Sequence, residues 1–367
     1  MKKNYDAYWC STCLNMSTRN RIVFDEKGRC NACVWSEEKK TLDWSVRESE
    51  LKELFNYHKN DSPFDLIVPV SGGKDGSYVS YNCREKYGLN PLCVTVHPPT
   101  RSEIGHLNLE NFKKAGFPLL EINLPYDSHK ELNKKGFIEQ GRPLYGWTTA
   151  IFTAILRVAD NFGITLIMYG EDGEIEYGGA NDSKNSGTFK PNFIKDVYLE
   201  GEVANTFSNL SPSEKYFWEF PEDINPKIEM AHWSYYEDWD PYRNYIVAKE
   251  HCGLEEKVSQ NTGTYTNFAQ NDNDLYDLHT YLMYLKFGFG RATQDAGIDI
   301  RRGSMTREQA IELVKLYDNQ LPEEYILNYL NYYDMTREQF DEVIDKWANK
   351  DLFEKKDGIW MPIFEIS

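Results

Sequence analysis

Short apolar runs alternate with amphipathic stretches across residues 45–169, and this alternation predicts a layered α/β fold. Four apolar runs predict strands, at residues 64–70, 91–96, 118–124 and 164–169. Segments with apolar residues at helical spacing predict helices at residues 45–60, 75–87, 102–115, 127–139 and 145–162. Near-continuous apolar strands separated by helices indicate a parallel sheet with helices on both faces.

The remainder of the chain has a different character. Residues 180–265 are less regular and rich in Asn, Ser, Tyr and Trp, so we expect insertions over the sheet edge there. From about residue 274 the pattern is helical, and two helices begin with the same Met-Thr-Arg-Glu-Gln run, at residues 305–309 and 335–339. In each, Thr can cap the helix while the Gln three residues later reaches back to it.

Two CxxC pairs, separated by sixteen residues, lie near the start of the chain. They contain Cys10, Cys13, Cys30 and Cys33. This spacing is typical of a zinc ribbon, in which four thiolates surround one Zn²⁺ and leave no open position for catalysis. An iron–sulfur cluster is the alternative. We therefore predict a zinc ribbon over residues 1–42, an α/β domain with insertions over 43–270 and a helical C-terminal region over 271–367.

Charge and composition narrow the class of protein. The formal net charge of −17 disfavours a general grip on nucleic acid. No stretch approaches the roughly 18 apolar residues that a membrane-spanning helix needs. The first six residues are polar and lack the apolar region of a secretory signal. Seven cysteines, an odd number that includes two close pairs, suit a metal in a reducing compartment. We expect a cytoplasmic protein that binds neither nucleic acid nor membrane.

A glycine-rich loop follows the first predicted strand. Residues 70–77 read Val-Ser-Gly-Gly-Lys-Asp-Gly-Ser and open the next helix, so backbone N–H groups and a helix N-terminus can bind phosphate. The Walker A pattern and a GxGxxG fingerprint are both missing. The loop resembles the PP-loop of N-type ATP pyrophosphatases, which cleave ATP between the α and β phosphates and adenylate an oxygen. That superfamily usually has Ser directly after the Asp, whereas here Gly76 precedes Ser77.

An acidic segment follows the fourth predicted strand. Residues 170–179 read Gly-Glu-Asp-Gly-Glu-Ile-Glu-Tyr-Gly-Gly, with four carboxylates within six positions. Ligands of open α/β sheets bind at the carboxyl ends of the strands, and carboxylates gathered there need a neutralising partner. Mg²⁺ on ATP phosphates is one such partner, and an exposed acidic loop is the alternative.

Four features together resemble the N-acetyl sugar amidotransferase family of the PP-loop superfamily, over nearly the whole chain. They are the double CxxC, the glycine loop, the acidic segment and an Arg-Ala-Thr-Gln-Asp-Ala-Gly-Ile-Asp-Ile-Arg-Arg-Gly run at residues 291–303. The resemblance implies an adenine nucleotide alpha hydrolase-like fold. It also implies conversion of an acetamido to an acetamidino group on bacterial surface sugars, such as nonulosonic acids and diacetamido uronic acids, in O-antigen synthesis or flagellin glycosylation.

The resemblance also implies roles for individual residues. The catalytic candidates are Lys74, Asp75, Glu171, Asp172 and Arg291. The ATP-binding candidates are Val70, Ser71, Gly72, Gly73, Lys74, Asp75, Ser77, Val96, His97 and Gly170. Asp75 and Asp172 are expected to hold Mg²⁺, and Glu174, Glu176, Arg301 and Arg302 to contact substrate.

The implied reaction adenylates the acetamido oxygen with ATP, and ammonia then displaces AMP. No glutaminase signature is present in the sequence, so a separate glutaminase subunit is the expected source of ammonia. Two other functions remain open from the sequence. A PP-loop tRNA thiolase would need a sulfur source and a basic RNA face, and a non-catalytic nucleotide-binding or zinc-ribbon scaffold would bind ATP without turnover.

Overall fold

The computed structural model describes residues 7–181, 183–199 and 210–366. The polar segment 1–6, on which the expectation of no secretory signal rests, lies outside the described residues. The strands are β1 (Leu66–Pro69), β2 (Pro91–Val96), β3 (Leu119–Ile122), β4 (Leu166–Tyr169), β5 (Thr188–Phe189), β6 (Glu229–His232), β7 (Phe353–Lys356) and β8 (Ile359–Pro362). The helices are α1 (Asn31–Lys39), α2 (Trp44–Tyr57), α3 (Lys74–Glu85), α4 (Glu103–Lys114), α5 (Tyr126–Gln140), α6 (Tyr145–Phe162), α7 (Gly173–Tyr177), α8 (Pro191–Phe193), α9 (Pro212–Trp218), α10 (Trp233–Tyr236), α11 (Pro241–Cys252), α12 (Leu275–Phe287), α13 (Arg291–Arg301), α14 (Arg307–Tyr317), α15 (Ile326–Tyr333) and α16 (Arg337–Trp347).

A six-stranded sheet forms the centre of the fold, in the order β3-β2-β1-β4-β6-β5. Its first five strands in that order run parallel, and β5 pairs antiparallel with β6 at the edge. The predicted α/β class, with a mostly parallel sheet flanked by helices, is confirmed. Successive strands move outward from β1 to β3, and the chain then returns to the other side of β1 to form β4. This reversal creates a crevice at the carboxyl ends of β1 and β4, where ligands of such sheets bind.

All four predicted strands are present, but two strands of the sheet arise from the segment that we expected to hold only insertions. The strand β6 pairs residue for residue with β4, and its Met230 and Ala231 are completely buried. Only two of its four residues are apolar. So short and mixed a segment has too little periodicity to be distinguished from a loop.

Two hydrophobic layers enclose the sheet. On one face α6 contributes the fully buried Ala150, Leu156 and Ala159 to a core that continues into α12, α15 and α16. On the other face α3 packs against α11 and the sheet, with Val79 and Cys83 buried. The strands β7 and β8 form a separate hairpin near the C-terminus. Both predicted capping boxes are present, at Thr306 and Thr336. No helix within the described ranges has the length and apolar character needed to span a bilayer.

Candidate functional site

The glycine loop joins the end of β1 to the first turn of α3, and its shape depends on missing side chains. Gly72 has a φ of +83°, and a Cβ there would lie 2.8 Å from the backbone nitrogen of Leu109. Gly73 is the N-cap of α3, which begins at Lys74. The loop therefore presents backbone N–H groups and the positive end of a 12-residue helix to the crevice.

The position that departs from the superfamily pattern has a steric explanation. A Cβ on Gly76 would lie 2.8 Å from the carbonyl oxygen of Pro69 and 3.1 Å from the Cα of Val70. The first turn of α3 therefore rests directly on the end of β1. The next residue, Ser77, is buried, its Oγ has no partner among the residues that the structure describes, and it does not line the crevice.

A cluster of charged side chains from distant parts of the chain lies beside the loop. Lys74 pairs with Asp75, and the other oxygen of Asp75, Oδ1, is buried and has no hydrogen-bond partner within the described part of the chain. Burial opposes the charge of Lys74, but Asp75 and Glu171 outweigh it and raise the pKa of the lysine. Burial and the charge of Asp75 raise the pKa of Glu171 to about 7, although Lys74 and Arg291 act in the opposite direction. Two carboxylates and two cations thus meet at the carboxyl edge of the sheet.

Arg291 is held in place by a buried acid. Its Nη2 lies 2.9 Å from Oδ1 of Asp295, one turn later in α13, and both side chains are at most about one-tenth exposed. The other oxygen of Asp295 accepts hydrogen bonds from Thr264 at 2.6 Å and Thr266 at 3.1 Å. Burial works against the charge of Arg291, but Asp295, together with Tyr177 and Tyr276, more than offsets it, and the pKa of the arginine is raised. The C-terminal region therefore places a permanently charged guanidinium, that of Arg291, at the crevice.

The crevice is a cavity of about 780 Å³, within the range of small-molecule sites. Most of the predicted site residues line it, namely Val70, Ser71, Gly72, Gly73, Lys74, Asp75, Val96, His97, Gly170, Glu171, Glu174 and Arg291. At the end of β2, His97 is fixed between Glu121, 2.8 Å from its Nε2, and Arg101 on its other nitrogen. Burial and the neighbouring Arg101 lower the pKa of His97.

Asp172 does not reach the cavity. Its Oδ1 caps α7 by accepting hydrogen bonds from the backbone of Glu174 at 3.0 Å and Ile175 at 3.4 Å. Its Oδ2 accepts from the hydroxyl of Ser183 and lies 3.5 Å from Nδ1 of His232. This geometry is that of a structural helix cap, whereas the sequence led us to expect Asp172 to hold Mg²⁺ together with Asp75.

The two later acids of the segment join α7 to the N-terminal ribbon. Glu174 lines the cavity but accepts two hydrogen bonds from Arg21, at 2.7 and 3.0 Å. Glu176 lies outside the cavity and accepts from Trp35 at 3.0 Å and from Lys39 at 3.1 Å. These contacts occupy both carboxylates with protein partners, in contrast to the substrate contacts expected from the sequence.

Arg301 and Arg302 also lie away from the main cavity. They line a second one of about 300 Å³ between the ribbon and α13. Arg301 donates to the carbonyl of Glu176 at 3.0 Å, and Arg302 pairs with Asp240 at 3.2 Å. The two cavities share Glu171 and Tyr177 as lining residues. The arginines are therefore neighbours of the main cavity and not part of its wall.

Several cavity residues were missed by the sequence analysis. They include Arg19, Trp147, Phe152, Tyr198, His279 and Gln294. Trp147 donates its indole N–H to the carbonyl of Val96 at 2.9 Å and so closes the end of β2. Gln294 belongs to the run at residues 291–303, so that motif could have pointed to it. The other five lie in helices or loops without a motif, and only the topology brings them together.

The four ribbon cysteines form the predicted cluster. Their sulfurs lie within 4.8 Å of one another, with 3.7 Å between Cys10 and Cys33 and 3.6 Å between Cys13 and Cys30. Four sulfurs at about 2.3 Å from one ion would be separated by about 3.8 Å, so the spacing fits a single tetrahedral metal. Backbone N–H groups donate to Sγ of Cys10, including that of Cys30 at 3.1 Å. The cluster indicates a bound metal and fits a zinc ribbon.

Comparisons with known proteins give three results. The model of the family described as "LPS biosynthesis protein WbpG-like, C-terminal domain" matches residues 262–365. An uncharacterized protein, MJ1599 of Methanocaldococcus jannaschii, is 27% identical over 167 residues, which are 44% of this chain and 58% of that protein. Among solved structures, the U34-tRNA thiolase NcsA from Methanococcus maripaludis, with its [4Fe-4S] cluster, is 13% identical with a TM-score of 0.31, over 71% of this chain and 79% of that one.

The family match covers the region that contains α12, α13 and the arginine of the charged cluster. Residues 262–365 are thus similar to the C-terminal domain of WbpG-like LPS biosynthesis proteins.

Proposed function

We propose that this protein is an ATP-dependent amidotransferase of bacterial surface-sugar biosynthesis. It would convert the acetamido group of an N-acetyl sugar to an acetamidino group, with release of AMP and pyrophosphate. The observation that carries the proposal is the charged cluster of Lys74, Asp75, Glu171 and Arg291 beside the glycine loop of the 780 Å³ cavity. The WbpG-like domain, whose family is named for LPS biosynthesis, supports the surface-sugar role.

The residues beside the loop fit ATP with Mg²⁺. Oδ1 of Asp75 is buried and has no hydrogen-bond partner among the described residues, while burial and the charge of Asp75 disfavour the ionised form of Glu171 and raise its pKa. Such carboxylates are suitable ligands for a hard cation that also binds phosphate oxygens. We assign Asp75 and Glu171, in place of Asp172, as the carboxylates that would hold Mg²⁺. When bound, Mg²⁺ would neutralise charge on the polyphosphate.

The chain's own residues would act mainly by positioning and by stabilising charge. The N–H groups of residues 71–73 and the start of α3 would bind the phosphates, while Lys74 and Arg291 would stabilise charge as the acetamido oxygen attacks the α-phosphorus. The bond from that phosphorus to the bridging oxygen breaks, and pyrophosphate leaves. Ammonia then attacks the imidoyl carbon, the carbon–oxygen bond breaks, and the former acetamido oxygen leaves with AMP. Trp147 and the aromatic wall would exclude water from the activated carbon.

The ribbon metal is proposed to be Zn²⁺ with a structural role. All four thiolates lie at the separation of one tetrahedral ion, so no ligand position is left for substrate. A multinuclear iron–sulfur cluster attaches its thiolates to different iron atoms, which sets the sulfurs farther apart than the 4.8 Å limit found in the ribbon.

The ammonia is proposed to come from a separate glutaminase subunit. Three cysteines lie outside the ribbon, and all are buried. Burial raises the pKa of Cys93 to about 12 and that of Cys252 to about 11, and it also raises that of Cys83. A glutaminase nucleophile needs an accessible thiolate, so none of these thiols suits that chemistry.

The test is incubation of the purified protein with ATP, Mg²⁺, ammonium and a panel of acetamido sugars. Replacement of oxygen by NH lowers the sugar mass by about 1 Da, and AMP should form in equal amount. Asp75→Asn should abolish turnover, whereas Asp61→Asn, at an exposed aspartate, should leave it unchanged. ADP in place of AMP would overturn the adenylation step. A labile-sulfide content with tRNA thiolation would favour the thiolase, and ATP binding without turnover of any sugar would favour the scaffold.

A further inference from the structure

His232 ends the strand β6 and lines the main cavity, although no motif contains it. Its Nδ1 lies 3.5 Å from Oδ2 of Asp172, and its Nε2 lies 3.3 Å from the hydroxyl of Tyr198. Tyr198 lines the same cavity. Three residues that are distant in sequence thus form a chain of polar groups, which runs from a buried carboxylate through an imidazole to a phenol at the cavity wall.

The imidazole of His232 is held in one orientation by its neighbours. The ring of Phe189 stacks on it, with 4.7 Å between the ring centres. Oδ2 of Asp172 also accepts a hydrogen bond from Ser183, while its Oδ1 caps α7, so the carboxylate is fixed. A carboxylate only accepts hydrogen bonds, so the Nδ1 that faces it carries the hydrogen and Nε2 is left to accept from Tyr198. An acid that fixes the tautomer of a histidine in this way prepares the other nitrogen to receive a proton.

The other two histidines among the described residues of the cavity wall are less suited to accept a proton. Both nitrogens of His97 face charged side chains. Burial and neighbouring cations lower the pKa of His279 to about 4, which makes it a weak base near pH 7. Burial also lowers the pKa of His232, but the charge of Asp172 acts against that change. His232 is therefore neutral near pH 7 and has an anion beside it to stabilise its protonated form.

The order of the strands places His232 on the side of the cavity away from the expected nucleotide contacts. β1, β4 and β6 are neighbours in the sheet, and Tyr169 at the end of β4 pairs with His232 at the end of β6. Neighbouring strands lie about 4.8 Å apart, so the Cα of His232 lies about 10 Å from the end of β1, where the glycine loop starts. Val96 and His97 lie at the end of β2, on the opposite side of β1. With ATP between β2 and the glycine loop, the side beside β6 remains for the acetamido group.

We propose that Tyr198 and His232 take up the proton that ammonia must lose during amidine formation, and that Asp172 is the residue that positions His232. This inference rests on the proposed amidotransferase function. It assigns the proton of the second step to two cavity residues that lie outside every motif, and it gives the second oxygen of Asp172 a part in the reaction.

The proton transfer completes the second step of the reaction. Attack of ammonia forms a bond to the imidoyl carbon and leaves a positively charged –NH3 group on it. Oη of Tyr198 accepts one proton from this nitrogen and passes its own proton to Nε2 of His232. The electron pair left on the nitrogen forms the carbon–nitrogen double bond, while the carbon–oxygen bond breaks and AMP leaves with its electrons. The imidazolium of His232 faces the carboxylate of Asp172 until its proton returns to solvent.

The experiment separates the two steps in the purified full-length protein, with the sugar of the panel that gives the most AMP. Exchange of labelled pyrophosphate into ATP, without ammonium, measures adenylation alone, and AMP formation with ammonium measures both steps. The variants are His232→Gln, Tyr198→Phe and Asp172→Asn, and His58→Gln is the matched control. His58 is also buried and lies 3.1 Å from Glu229 at the other end of β6, but it does not line the cavity.

His232→Gln should lower kcat for AMP formation with ammonium by about 100-fold, as expected for loss of a general base, and change pyrophosphate exchange and KM for ATP by less than about threefold. Tyr198→Phe keeps the ring that stacks on Phe152 and should lower the same kcat by about 10- to 100-fold. Asp172→Asn keeps an acceptor at the N-cap, so the melting temperature should change little, whereas kcat should fall because the amide favours the other tautomer of His232. His58→Gln should leave both rates unchanged.

An equal loss in the two assays, or a rise in KM for ATP, would overturn the assignment, because His232 would then serve adenylation or the fold. Unchanged AMP formation in His232→Gln or in Tyr198→Phe would overturn it as well. If the unmodified protein neither exchanges pyrophosphate nor forms AMP with any sugar, the proposed amidotransferase function fails instead, so the two failures are distinguishable.

Discussion

Gly76 provides the sharpest test of how the glycine loop is built. The residue lies in the first turn of α3, where Gly→Ala would ordinarily stabilise a helix by about 1 kcal/mol. A new Cβ would, however, lie 2.8 Å from the carbonyl oxygen of Pro69, 3.0 Å from Cγ1 of Val70 and 3.1 Å from Cα of Val70. Two of these atoms belong to the backbone and cannot rotate away. The helix must therefore move from the strand by about 0.5 Å to restore ordinary contact distances.

The steric term should exceed the helix-propensity term. Overpacking of this kind costs about 1–3 kcal/mol, and the rigid backbone contact favours the upper part of that range. After subtraction of the propensity gain, Gly76→Ala should destabilise the protein by about 1–2 kcal/mol. The loop rests on the same contact, so ATP affinity should also fall about tenfold.

The assay is urea unfolding followed by tryptophan fluorescence, together with ATP binding by calorimetry. Gly173→Ala is the matched control, since its Cβ would meet nothing closer than 3.7 Å, at Cδ2 of Tyr177. This control should be neutral or slightly stabilising. If Gly76→Ala proved as stable as Gly173→Ala and bound ATP normally, the contact with β1 would not be the reason for glycine at this position.

Three further perturbations have defined outcomes. Burial raises the pKa of Asp277 to about 7, above the value of about 3.9 in the unfolded chain. Between these two pH values the folded protein holds a proton on Asp277 that the unfolded chain has lost. The free energy of unfolding therefore falls as pH rises from about 4 to 7. Asp277→Asn should therefore raise the free energy of unfolding, measured with urea, by up to about 4 kcal/mol above pH 7 and change it little near pH 4. An increase that does not vary with pH would contradict this reasoning. Glu174→Gln should weaken the contact of α7 with Arg21 and lower the melting temperature by about 2–4 °C, and an unchanged value in calorimetry would show that this pair contributes nothing to ribbon docking. Metal removal by chelation should release one equivalent of zinc, detected by elemental analysis, and should lower the melting temperature because the four thiolates lose the ion that holds the ribbon together; an unchanged melting temperature would contradict a structural role for the metal.

The sequence was sufficient where structure depends on neighbouring residues. Strand β2 has the predicted bounds, and the cysteine cluster and both capping boxes also follow from short spacings. The glycine loop could be predicted for the same reason, because a positive φ at Gly72 is a local requirement. Lys74 and Asp75 could also be selected from the sequence, because both lie within the glycine loop itself.

Tertiary structure decided which distant groups meet and in which direction each side chain turns. Glu171 and Asp172 are adjacent in sequence, yet one faces the cavity and the other caps α7. The helix begins directly after Asp172 and needs an acceptor for its first N–H groups. Arg291 meets Glu171 only because α13 packs against α7, while Arg301, ten residues later in α13, faces the ribbon. Arg19 reaches the cavity because the ribbon docks on α7. The spacing of residues along the chain predicts the local backbone conformation. Which side chains meet across a cavity depends on how whole helices and strands pack, and no short motif predicts that packing.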